Sequence, residues 1–299
     1  MTDVARSDAV YCERIARRRA ASFALASYFL PAPKRRAAFA FYSFARVADD
    51  IVDDAIKGDH RVGAWHLRSY RRQVAEAIAG RPAGPVFREL RWAMRHFDVS
   101  PDLALELIDG IERDITPSVF PTWGDLRKYC EGVAVTVASI ATQVFGVGGG
   151  MEQKREALAR GTTLGVAIRL TSILRDVGID SRAGRCFIPL ADLARFGISL
   201  DEVLDSSSVA REERWRRLMR WEIARARELY RQAMPGIGLL APNTRRCAAA
   251  CAIGYSAILG ALERIQYDSV AARANVGTWT RIGVLWDAWR YEPQTAIAS

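Results

Sequence analysis

Apolar residues recur at helical spacing along nearly all of this 299-residue chain, and no segment of any length alternates apolar and polar residues with period two. Ala, Leu, Arg and Glu fill segment after segment. Pro, Gly and Ser clusters punctuate them at Pro31-Ala32-Pro33, Lys57-Gly58-Asp59, Gly80 to Pro85, Ser100-Pro101, Pro117 to Pro121, Gly146 to Gly150, Gly184 to Pro189, Ser206-Ser207-Ser208 and Pro235 to Pro242. Between these breaks the pattern predicts roughly eight to ten helices of ordinary length. One of them opens at Ser100-Pro101-Asp102, with Pro at its first position. No run of linker composition divides the chain, and no segment repeats at a fixed period. The expectation is one all-α helical domain over residues 1–299.

Within that helical background, two acidic patterns share one spacing. Asp49 and Asp53 lie in Phe44-Ala45-Arg46-Val47-Ala48-Asp49-Asp50-Ile51-Val52-Asp53-Asp54, and Asp176 and Asp180 lie in Arg169-Leu170-Thr171-Ser172-Ile173-Leu174-Arg175-Asp176-Val177-Gly178-Ile179-Asp180. A four-residue interval on a helix puts both carboxylates on one face, one turn apart. Each pair ends an apolar segment and follows an arginine, Arg46 or Arg175. Carboxylates on apolar helices are costly to bury unless a cation meets them. Two such faces opposed would form a cage of hard oxygen ligands suited to Mg²⁺, which commonly shares its coordination with substrate phosphates. The arginines fit either of two roles, ion pairing with the aspartates or binding diphosphate oxygens. Gly161 and Gly165, on the segment leading into the second motif, permit close helix approach.

Composition narrows the alternatives. With a charged fraction of 26% and half the residues hydrophobic, disorder is not the default reading. The net charge of +9 favours anionic partners, although the Arg/Glu interleaving from Arg211 to Arg231 reads as a solvated helix face. The five cysteines (Cys12, Cys130, Cys186, Cys247 and Cys251) are odd in number and contain no C-x-x-C, which points to a reduced, cytoplasmic chain. Histidines at 60, 66 and 96 are too scattered for a zinc site. The segment Ala20 to Leu30 is too short, and lacks the cleavage region, for a signal peptide. Gly132 to Met151 carries no charge, but Thr136, Ser139, Thr142, Gln143 and five glycines make it a core helix rather than a membrane span. Gly146-Val147-Gly148-Gly149-Gly150-Met151 follows no strand and has Met where a dinucleotide fingerprint needs Gly, so it reads as a helix-ending loop. No nucleic-acid-binding pattern is present.

These motifs, in this order, make the chain resemble the squalene and phytoene synthases, the bacterial phytoene synthases among them. Ser22-Phe23 with Leu30-Pro31 resembles the family's N-terminal S-F…L-P. Arg46 to Asp53 resembles its first aspartate motif, and Tyr129-Cys130-Glu131-Gly132-Val133-Ala134 its Y-C-x-x-V-A helix. Leu170 to Asp180 followed by Gly184-Arg185-Cys186-Phe187-Ile188-Pro189 resembles its second signature, and Tyr255 to Val276 its ending. The resemblance implies an isoprenoid-synthase helical bundle with a central cavity. It implies head-to-head condensation of two geranylgeranyl diphosphates, through a cyclopropyl diphosphate, to phytoene in carotenoid biosynthesis. Asp49, Asp53, Ser172, Asp176 and Asp180 would hold Mg²⁺, with Mn²⁺ as the alternative ion, and Tyr129 would join the aspartates in catalysis. Ser22, Arg46, Arg169, Arg175, Tyr255 and Arg273 would bind diphosphate. NADPH is not expected. Phe23, Phe41, Tyr42, Phe44, Val133, Val137, Ile140 and Leu164 are candidate cavity walls as well as candidate core. Greasy substrates imply peripheral membrane contact.

The chain departs from the family pattern at four positions. Arg169 stands where Gln is usual and Ser172 where Asn is usual. Val135 and Ala138 replace the two glycines of V-A-G-x-V-G, which should narrow the cavity or shift that helix. Two further readings stay open: a squalene-type enzyme or altered terpene synthase or cyclase, and a non-catalytic helical scaffold that binds acidic partners or membrane through its basic surface.

Overall fold

The computed structural model describes residues 3–58, 60–115, 119–205, 209–271 and 273–292. The described residues form thirteen α-helices and three 3-10 turns, with a single isolated bridge between Val147 and Leu240 in place of any strand. The breaks expected at 117–118 and 206–208, and Asp59 within another, lie outside the described residues. The others fall at helix ends or between helices, and the stretch from Pro235 lies largely in a 3-10 turn. The excess over the expected eight to ten comes mainly from α2 (Ala21–Ser27), α9 (Leu190–Arg195) and α10 (Leu200–Asp205), each of two turns or fewer. Such pieces are too short to show a helical period in sequence.

Local chemistry sets the helix boundaries that matter for the site. α6 (Pro101–Glu112) starts with Ser100, whose Oγ accepts from the Asp102 amide at 3.3 Å, and Pro101 follows in the first turn. α7 (Trp123–Phe145) starts in a reciprocal cap: the Asp125 amide donates to Thr122 Oγ1, and the Thr122 amide donates to the Asp125 carboxylate. It ends at Gly146, where φ is 79° and a side chain would be strained. The expected core helix is therefore the last part of α7 and stops there. It is not buried all round, because Val135 and Val137 are both exposed.

Two large apolar cores lie side by side, and a smaller third one gathers Leu30, Ile237, Cys247 and Ala249. One joins α1 (Asp3–Arg19), α3 (Ala32–Lys57), α4 (His60–Ile78), α5 (Gly84–His96) and α6 around Phe39, Phe44, Leu67, Leu90 and Ile108. The other joins α7, α8 (Met151–Arg182), α11 (Glu213–Ala233) and α12 (Pro242–Arg264) around Leu126, Leu170, Leu174, Trp215 and Leu218. Full burial of each such side chain is worth about 1.5–3 kcal/mol. Tyr42 and Val133 edge the first core, while Tyr129, Leu164 and Tyr255 edge the second. The seam between the cores is where both acidic faces sit.

α7 and α8 meet closely because glycines on α8 receive alanines from α7. A methyl group at Gly165 would stand 2.6 Å from the Ala134 Cβ, and one at Gly161 would stand 3.1 Å from the Ala138 Cβ. The close approach expected of these two glycines is present. Ala138 is consequently absorbed by the helix contact and does not narrow the seam, whereas Val135 faces outward. On α11, Arg220, Arg227 and Arg231 form the solvated face that the sequence implies, with ion pairs to Glu213, Glu263 and Glu228. Arg225 and Glu222 do not belong to it. They turn inward, where Arg225 bridges Glu222 at 2.7 Å and Asp192 at 2.8 Å. A helix face alternating in charge gives no sign of which pair is drawn inside.

Candidate active site

The last third of α3 and the last turns of α8 present the two acidic faces. On α3, Arg46 lies one turn before its acids. Its Nε donates to Asp50 Oδ1 at 3.0 Å and its Nη2 to Asp53 Oδ2 at 3.0 Å, while Arg19 at the end of α1 reaches Asp50 at 3.3 Å. On α8, Arg175 donates from Nε and Nη2 to the two oxygens of Asp176, at 3.0 and 2.6 Å. Arg273, from the segment between α12 and α13 (Thr278–Trp289), holds the same carboxylate at 2.7 and 3.3 Å. Burial alone would raise the Asp176 pKa, but these two guanidinium contacts outweigh it and leave the carboxyl below its ordinary value.

Asp49 and Asp180 differ. Among the described residues neither forms an ion pair with a basic side chain. Burial pushes Asp49 up to about 7, only partly opposed by Arg46 and Arg169, and Asp53 and Asp114 add to the rise. Burial pushes Asp180 up to about 6, opposed by Arg185 and reinforced by Asp176. Asp180 lines a small hollow with Ile173, Arg185 and Phe187. The Arg185 guanidinium lies 4.7 Å over the Phe187 ring, and among the described residues its buried Nε has no hydrogen-bond partner.

A charged cluster spans the space between the two faces. Arg169 Nη2 on α8 donates to Asp114 Oδ2 at 2.7 Å and to the Tyr129 hydroxyl of α7 at 2.8 Å, and that hydroxyl donates to the other oxygen of Asp114. Asp114 sits in the 3-10 turn Arg113–Ile115 that ends α6. The charges of Arg169 and Asp114 act on both Asp49 and Asp180. A second bridge runs through tyrosines. Tyr42 feels Arg46, Asp49 and Tyr255, and Tyr255 on α12 feels Arg175. The early and late acidic faces therefore share one electrostatic neighbourhood rather than opposite sides of the molecule.

The remaining sequence candidates are distributed as follows. Ser172 is half-buried, one turn before Asp176. Ser22 is exposed on α2 and lines a separate hollow with Leu25, Arg281 and Leu285. Phe23, Tyr42, Val133 and Leu164 are half-buried and Val137 is exposed, as an open wall requires. Phe23 stacks on Tyr42 at 5.0 Å. Phe41 and Ile140 are buried, and Phe44 is fully buried against Tyr70, so its place is in the core. Sequence reasoning missed Asp114, Arg19 and the site position of Arg185. Arg169 was the available signal for Asp114, since an arginine on an apolar helix needs a carboxylate. Nothing in the spacing says which one.

The donor set fits a hard divalent ion. Asp49 and Asp180 are carboxylates that burial strains and that, among the described residues, no arginine ion-pairs. Among the described residues no three acidic, histidine or cysteine side chains are gathered closely enough to hold a metal by themselves. Such an arrangement suits one or two carboxylates per ion, with phosphate oxygens and water completing the shell.

Residues 16–281 match the squalene/phytoene synthase family. The chain belongs to that family. A phytoene synthase of Arthrospira platensis is 34% identical over 294 residues, covering 94% of this chain and 92% of that one. A phytoene synthase of Thermus thermophilus is 33% identical, with 90% and 88% coverage. Among solved structures, a dehydrosqualene synthase with bound ligand superposes at a TM-score of 0.84 and 27% identity, covering 96% of this chain and 97% of that one. The all-α isoprenoid-synthase fold expected from the sequence is thus present, and the protein is an enzyme of the prenyl-transferase class.

Proposed function

We propose that this enzyme is a phytoene synthase that joins two geranylgeranyl diphosphates head to head. The observation that carries the reading is the single neighbourhood shared by Asp49 and Asp180, two strained carboxylates from distant parts of the chain with Arg46, Arg169, Arg175 and Arg273 around them. The identity to phytoene synthases over nearly the whole chain supports it. The reading takes the chain as one domain.

Asp49, Asp53, Asp176 and Asp180, with Ser172, would hold Mg²⁺, which supplies Lewis-acid neutralisation of the departing diphosphate. Arg46, Arg175 and Arg273 exchange a carboxylate oxygen for a diphosphate oxygen and orient the leaving group. In the first half the C1–O bond of one substrate breaks and the electron pair leaves with diphosphate. The double bond of the second substrate attacks the allyl cation, and loss of a proton closes a cyclopropane. In the second half the cyclopropyl diphosphate ionises, the ring opens in rearrangement, and a further proton leaves to give phytoene. Burial holds the Tyr129 hydroxyl protonated, and its hydrogen bond to Asp114 fixes its direction toward the seam. Phe23, Tyr42, Val133, Val137 and Leu164 exclude water from the cations.

A second reading, condensation of farnesyl diphosphate to a thirty-carbon product, is favoured by the likeness to the dehydrosqualene synthase. Incubation with Mg²⁺ and either geranylgeranyl or farnesyl diphosphate, with and without NADPH, separates the two. Phytoene from geranylgeranyl diphosphate without NADPH is the expected product. A thirty-carbon or cyclic product alone would overturn the first reading.

A further inference from the structure

α13 packs one side onto α12, with Val284 and Ala288 buried, and turns the other side to solvent. That outer side carries Ile282, Trp286 and Trp289, which are 52%, 58% and 52% exposed. Their i, i+4, i+7 spacing puts all three on one stripe. Large apolar side chains grouped this way on a surface have a purpose beyond packing. The two indoles stack at 5.8 Å. Cations cover them: the Arg246 guanidinium lies 5.5 Å over Trp289, and that of Arg290 lies 5.9 Å over Trp286. The stripe continues onto α2, which packs on α12 beside α13. Leu25 of α2 is exposed and shares a hollow with Leu285 and Arg281, and Tyr28 is exposed between Arg17 and Arg35. Asp287, the acidic residue of α13, is turned about 100° round the helix from Trp286.

We propose that this face docks on the surface of an anionic lipid bilayer. Tryptophan suits the bilayer interface because its ring is apolar and its N–H remains hydrated. Arginines stacked on the indoles are placed to meet lipid phosphates. The net charge of +9 draws the whole chain to the same surface. No helix among the described residues is long and apolar enough to cross a membrane, so the contact is one of lying on the surface. On the reading above, docking sets the enzyme beside the bilayer that dissolves its prenyl substrates and product.

Co-sedimentation with phosphatidylcholine vesicles, with and without phosphatidylglycerol, tests the assignment without any prenyl substrate, so its failure leaves the diphosphate reading untouched. Wild-type protein should sediment with the anionic vesicles, weakly with the neutral ones, and less as salt rises. The double variant Trp286→Ala, Trp289→Ala should lose roughly tenfold or more in vesicle affinity. Arg246→Gln and Arg290→Gln should each cost about fivefold on anionic vesicles only. All should keep the wild-type melting profile and turnover on detergent-dispersed substrate. Wild-type protein that ignores anionic vesicles, or tryptophan variants that bind as wild type does, would overturn the proposal. So would a dimer that the tryptophan variants abolish while vesicles go unbound, since the face would then belong to a second copy.

Discussion

Asp49 and Asp180 are the carboxyls of the site that no arginine grips, and their strain has consequences for stability. Each pKa lies above the ordinary 3.8, at about 7 and about 6, because burial disfavours the charged form. A carboxyl whose folded pKa is raised favours the native state while it is protonated, and that contribution fades as the pH climbs from the unfolded value through the folded one. Metal-free protein should therefore lose stability between about pH 4 and pH 7 on account of these two groups. Asp49→Asn should flatten part of that slope and raise the melting temperature at pH 8, by roughly 1–2 °C for each kcal/mol of strain removed. Melting in the presence of a chelator at several pH values checks this, and an unchanged slope in the variant would contradict it. The same substitution should abolish turnover. Asp176→Asn belongs to the other kind of acid, one already paired with Arg175 and Arg273. Turnover should fall about 10²–10³-fold with the fold intact, as when one group that meets developing charge is removed. Wild-type turnover in that variant would remove Asp176 from the mechanism.

The α7–α8 contact controls how wide the seam can be. Gly165→Ala would force a methyl group to within 2.6 Å of Ala134, and the helices must part or strain. A loss of about 1–3 kcal/mol in chemical denaturation is expected, as for other overpacked contacts. A neutral effect would mean that α7 slides freely. This element also shows what sequence can and cannot reveal. Gly161 and Gly165 announce close approach because nothing else on an apolar helix explains glycine twice at that spacing. The acidic stretches of α3 and α8 announce themselves by charge on an apolar face. The partner of Arg169 was hidden, since Asp114 ends a different helix 55 residues away and carries no spacing of its own. Short helices such as α9 and α10 were hidden too, because they form where longer elements pack, not where a period accumulates.

At the scale of the whole molecule, two apolar cores meet along a seam, and each contributes one acidic face and its own set of arginines. The overall all-α architecture follows from periodicity alone. Bringing residues 49 and 180 under the charges of the same Arg169 and Asp114 is a matter of long-range packing, which no local pattern encodes. On the proposed reading neither face alone would hold a metal–diphosphate complex, so the account stands on their joint action. The direct test is calorimetric titration of inorganic pyrophosphate with Mg²⁺ into wild-type protein, Asp49→Asn, Asp180→Asn and the double variant. Either single substitution should weaken binding about tenfold or more, and the double variant should lose much less than the sum of the two, as coupled groups in one site do. Losses that simply add, or a single variant that binds as wild type does, would show that the two faces do not form one site.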